Sequence, residues 1–125
     1  GDGSLDPAIV AAAGGPKFIE GSYMTSVREA RNIPAAQKVV AKFKAAGIDP
    51  AGYTLYAYAS LQSIAEAMKA TKSTDGKKLA DWLKSHTVTT VLGPKNWDAK
   101  GDLKESGFSI YVWGADGNYK EMAQK

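Results

Sequence analysis

The sequence contains no cysteine, so thiol catalysis, disulfide staples and cysteine-ligated metals are excluded for this stretch of chain. It has one histidine, His86, with neither a second histidine nor a cysteine to join it as a metal ligand. Arginine is scarce: of sixteen basic residues only Arg28 and Arg31 are arginines. The rest are lysines set singly along helical faces, whereas nucleic-acid binders gather Arg and Lys into a stripe with interleaved aromatics. The net charge of +3 therefore reads as a solvated surface, and nucleic acid is not an expected partner. No apolar run approaches the roughly 20 residues that span a bilayer. The first residues lack the basic-then-apolar build of a signal peptide. Gly1-Asp2-Gly3-Ser4 has no Met and reads as the turn after a strand, so an internal cut is expected there.

What is present is an ordinary globular composition, 44% hydrophobic and 23% charged over 125 residues, enough in length for a core of its own. Asp6 before Pro7 caps a short helix from about Pro7 to Ala13, stopped by Gly14-Gly15. Phe18 to Val27, interrupted by Gly21, reads as a buried strand. Pro34 opens an amphipathic helix carrying Val39, Val40, Phe43 and Ala46, with Gly47 closing it. After the turn Asp49-Pro50-Ala51-Gly52, a helix from Tyr53 to Ala70 shows an apolar stripe of Ala57, Leu61, Ile64, Ala65 and Met68. Ser73 or Thr74 caps a further helix holding Leu79, Trp82 and Leu83 and ending near His86. Val88 to Leu92 is extended, Gly93-Pro94 breaks the chain, and Phe108 to Trp113 is apolar on both faces, as a central strand. Helices and strands alternate, which predicts an α/β fold with a largely parallel sheet. The segment from Gly93 to Ser106 is long and irregular for a compact domain, which suggests that its partner surface lies elsewhere.

The candidate chemistry is sparse. Asn96, Asp98 and Asp102 around Gly101 invite a calcium loop, but Lys100 occupies an alternate ligand place and Gly107 the closing acid, so a tight turn is expected instead and no metal. His86, at a helix end, is expected to cap carbonyls. No Ser and carboxylate pair with it as a nucleophile, so no catalytic residue is assigned. Asp2 stands on a loop that could follow a strand, where ligands of open α/β sheets bind; it is either an exposed turn residue or a carboxylate for a ligand ammonium. Tyr53, Tyr56 and Tyr58 crowd the start of the long helix, at least one of them as core, and Trp97 and Trp113 are expected to pack.

Tyr58-Ala59-Ser60-Leu61-Gln62-Ser63, then Thr90-Val91-Leu92-Gly93-Pro94, then Trp97-Asp98-Ala99-Lys100-Gly101-Asp102-Leu103-Lys104 and Phe108-Ser109-Ile110-Tyr111-Val112-Trp113 form an ordered series. With Gly1-Asp2-Gly3 ahead of them, the chain resembles the leucine/isoleucine/valine-binding protein family, the branched-chain type of type I periplasmic binding protein, over essentially its whole length. The resemblance implies the C-terminal third of a receptor with two Rossmann-like α/β lobes. Residues 1–52 then belong to the second lobe, 53–106 cross back to the first, and 107–125 form the terminal strand and tail of the second.

It also implies a non-enzymatic, periplasmic role without cofactor: capture of a branched-chain or related small amino acid for an importer driven by ATP. Asp2 matches the acidic residue that holds the ligand's α-ammonium, where Glu is the more familiar occupant, and Tyr58 matches the aromatic beside the ligand's side chain. The implied partners are the amino acid, the membrane permease, and the missing N-terminal lobe or another copy of the chain. A sensor of amides or amino acids in a regulatory protein is the alternative within this fold, and a hydrolase the more distant one.

Overall fold

The computed structural model describes residues 6–105 and 107–122. They form two compact units, one made of the chain up to Arg28 and from Gly107 onward, the other of Glu29–Ser106.

In the first unit, helix α1 (Ala8–Ala12) precedes a single helical turn at Pro16–Phe18 and strand β1 (Tyr23–Val27). The strand is shorter than the sequence predicts. Pro16 sets a helical φ at the start of the turn, and Gly21, at φ +76, reverses the chain while its N–H donates to the Trp113 carbonyl. The chain becomes extended only after that reversal. Phe18 thus sits in the turn, 63% exposed.

The late strands complete the unit's sheet. Numbered in chain order after the hairpin strands of the second unit, they are β4 (Phe108–Trp113) and β5 (Tyr119–Glu121). The order is β1-β4-β5, and both pairings are antiparallel, with Met24 opposite Tyr111 and Val112 opposite Lys120. The expectation of a largely parallel sheet therefore fails for the described strands. Four residues separate Trp113 from Asn118, far too few for the crossover that parallel neighbours need. Gly117, at φ +75, closes this turn, and the Asp116 carboxylate accepts the Asn118 N–H.

β4 is central, as expected, but its two faces differ. Tyr111 and Trp113 turn inward with Met24 and Ile19, and Ile9, Val10 and Ala13 cover them. The Tyr111 hydroxyl donates to the Val27 carbonyl, which satisfies its one polar atom inside the unit. Tyr119 lies edge-on to both Tyr111 and Trp113. On the opposite face Tyr23, Phe108 and Ile110 remain 70%, 62% and 48% exposed.

In the second unit, two single turns, Ala30–Asn32 and Pro34–Ala36, lead into helix α2 (Gln37–Ala45), and Pro50 lies in the turn before helix α3 (Thr54–Thr71). Helix α4 (Gly76–Ser85) and a hairpin of β2 (Val88–Thr90) and β3 (Gly93–Lys95) follow. Gly93-Pro94 thus continues as a strand after the turn. Thr90 makes that turn: its hydroxyl donates to the Gly93 carbonyl and accepts from the Leu92 N–H. The core gathers Ala30, Ala36, Val40 and Leu55, with Ile33, Val39, Phe43, Tyr56 and Leu92 packed on it. Because Val40 and Phe43 pack with Leu55, α2 belongs with α3 and not with β1.

α3 buries a different face from the one its large side chains suggest. Leu55, Ala59, Ser63 and Ala67, four residues apart, turn inward, while Leu61, Ile64 and Met68 stay 68%, 45% and 37% exposed. Small side chains let the helix lie close to α4 and β2, so they form its contact face. The buried Ser63 hydroxyl donates to the Ala59 carbonyl within the helix. Asp75, and not Ser73 or Thr74, caps α4: its carboxylate accepts the Lys78 N–H at 2.9 Å, and the Ser73 hydroxyl instead accepts the Asp75 N–H.

Candidate ligand-binding site

The beginning of α3 concentrates aromatic side chains, and the helix sends them in different directions. Tyr56 packs on the Leu55 core, while Tyr53, edge-on to Tyr56 at 6.3 Å, is 54% exposed. Tyr58 is 38% exposed and meets Phe43 of α2 edge-on, with ring centroids 6.4 Å apart. This leaves Tyr58 able to present apolar area and a hydroxyl to a small molecule. Asp2, the other expected site residue, lies outside the described residues.

The turn that leads into α3 is fixed by a charged cluster. Arg31 donates Nε and Nη2 to the Glu29 carboxylate at 2.9 and 2.7 Å, and Nη1 to Asp49 at 2.7 Å. The Arg31 guanidinium holds the Glu29 carboxyl below its ordinary value of 4.5. A carboxylate depressed in the folded state contributes stability that is present above its ordinary value and lost as pH falls through the lowered one. The thermal midpoint of the full-length protein is therefore expected to drop on acidification below about pH 4.5, and to drop less in Glu29→Gln. Equal drops would show that the pair contributes nothing. An open depression of about 340 Å³ lies beside this cluster, lined by Arg31, Lys44, Gly47, Ile48 and Asp49. Its arginine is already committed to two carboxylates.

The remaining candidates resolve into structural roles. His86 Nδ1 lies 2.8 Å from the Trp82 carbonyl, and the imidazole stacks on Trp82 at 4.3 Å between centroids, so it caps α4 as expected. Trp113 is buried in the sheet core, and Trp97 is half-buried and bridges Leu103 through the backbone. The Asp98 carboxylate accepts the N–H groups of Gly101 and Asp102 at 2.8 and 2.9 Å, which hold it below the usual carboxylate range. It closes the polar turn that Gly101 allows. Among the described residues no three His, Asp or Glu side chains are grouped to hold a metal, and no helix is long and apolar enough to cross a membrane. Phe43, which the sequence places on the apolar stripe of α2, packs on the core as that spacing predicts, and the fold also brings its ring to Tyr58.

The described residues combine helices with two small antiparallel sheets, and the start of α3 carries a partly exposed aromatic cluster. Residues 3–118 match the model of the periplasmic binding protein family, and the chain belongs to that family. An amino acid binding protein of Pseudomonas aeruginosa is 46% identical over 97% of this chain and 32% of its own. A Leu/Ile/Val-binding protein homolog of Brucella suis is 40% identical over 99% of this chain and 34% of its own. The resemblance to the branched-chain type is thus borne out, and the chain spans about a third of the length of these relatives. Among solved structures, a leucine binding protein of Thermotoga maritima superposes with a TM-score of 0.71 at 23% identity, over 98% of this chain and 35% of that one. A substrate-binding protein of an ABC transporter from Desulfitobacterium hafniense, in complex with Leu, superposes at 0.62 with 23% identity, over 85% of this chain and 32% of that one. Both show the two-lobed α/β fold, of which this chain is a part.

Proposed function

We propose that the chain is the C-terminal third of the substrate-binding component of an ABC importer, which captures a branched-chain or related small amino acid between two lobes in the periplasm. The observation that carries this reading is the 46% identity, across nearly the whole chain, to a protein named for binding amino acids. Relatives named for leucine, isoleucine and valine narrow the ligand class. In this reading Asp2 neutralises the ligand's α-ammonium, and Tyr58 borders its side chain. In this reading the unit Glu29–Ser106 belongs to the first lobe and the remainder to the second.

The mechanism follows from the differential affinity of the ligand for two states. An amino acid that touches both lobes binds the closed arrangement better and shifts the population towards it, and a permease that recognises the closed form is then engaged only by loaded receptor. The exposed apolar stripe of α3 is covered in this reading by polypeptide from the preceding two thirds of the protein.

The test is a thermal-shift panel of the twenty amino acids on the full-length protein. Leucine, isoleucine or valine at a hundredfold excess over its Kd is expected to stabilise it by about 2.7 kcal/mol, seen as a raised midpoint. A panel in which no aliphatic amino acid moves the midpoint removes the reading.

A further inference from the structure

Tyr58 is an exposed ring supported by an anchored one. Phe43 meets it edge-on, at 6.4 Å with the planes 75° apart, and is itself packed on the core of Ala30, Ala36, Val40 and Leu55. Edge-to-face pairs at this separation contribute beyond the area they bury, because the positive ring edge meets the negative face. The placement of Phe43 is in turn fixed by the connection between α2 and α3. Pro50 is fully buried there, and Asp49 is tied to Arg31, which grips Glu29 with two further hydrogen bonds. The chain thus builds a packed support beneath a side chain that remains 38% exposed.

We propose that Phe43 is a positioning residue that sets the angle of the Tyr58 ring against the side chain of the bound amino acid. The inference rests on the reading of Tyr58 as a ligand-bordering residue. Phe43 acts through Tyr58 alone: without the Phe43 ring, Tyr58 retains its rotamer freedom in the free protein, and binding must order it. The pair thereby presents the ligand with a wall that is already in place.

A double-mutant cycle in the full-length protein tests this, with leucine as the probe and calorimetry as the readout. Phe43→Leu keeps apolar volume and is expected to weaken leucine binding about threefold to tenfold, the worth of an aromatic pair. Phe43→Tyr keeps the ring edge and is expected to retain the native affinity. In the Tyr58→Leu background, Phe43→Leu is expected to add no further loss, because the residue through which it acts is gone. A merely structural Phe43 would weaken binding by the same factor in both backgrounds, and that result overturns the proposal while leaving Tyr58 in the site. Unchanged affinity in Phe43→Leu, or a loss in Phe43→Tyr equal to that in Phe43→Leu, also overturns it. Unchanged affinity in Tyr58→Leu removes the ligand-site reading, and the positioning role with it.

Discussion

Asp2→Ala in the full-length protein is expected to weaken leucine binding by about 2–5 kcal/mol, between roughly thirtyfold and a few thousandfold. The size follows from what is left behind. A ligand ammonium taken out of water keeps its desolvation cost when its carboxylate partner is deleted, and the enclosed charge then stands alone. Asp2→Glu should preserve binding, since it keeps the charge and supplies the longer side chain that is the more familiar occupant of this position. Asp2→Asn retains the shape without the charge and separates the two contributions. Calorimetry in which Asp2→Ala binds leucine as tightly as the native protein removes Asp2 from the site.

The second large effect concerns the support under the site. Leu55 has no exposed surface, and it joins Ala30, Ala36 and Val40 at the root of α3. Leu55→Ala is expected to cost about 2–5 kcal/mol, the transfer term plus the cavity that close-packed neighbours cannot fill. Leu55→Met, which nearly conserves volume, should cost less than about 1.5 kcal/mol. Urea unfolding of the full-length protein measures both. A cost for Leu55→Ala below that of Leu55→Met would mean that the root of α3 is not the packed core described above.

The helices were legible in the sequence because their signals are local. Gly47 after an apolar periodicity and an uninterrupted run of helix formers before Lys72 mark α2 and α3 without reference to the rest of the chain. His86 was equally legible, since a helix end offers free carbonyls wherever it lies. What the sequence could not supply was the direction in which a face points. Leu61, Ile64 and Met68 have the composition of a core stripe, and only the packing of Ala59, Ser63 and Ala67 against neighbours reveals that small residues make the contact. Sheet direction was lost for the same reason. β1 and β4 are separated by the entire second unit, and nothing local to either strand records the sense of their pairing. The contact of Phe43 with Tyr58 belongs to the same class, a meeting of two helices fixed by the turn between them.

One long-range hydrogen bond joins α3 to the hairpin. Gln62 Oε1 accepts the Val91 N–H at 2.8 Å, one helical turn beyond Tyr58. The turn of the hairpin is thereby anchored to the middle of the long helix and not to either of its ends. A residue whose side chain accepts a backbone N–H from a distant turn ties the placement of that turn to the register of the helix.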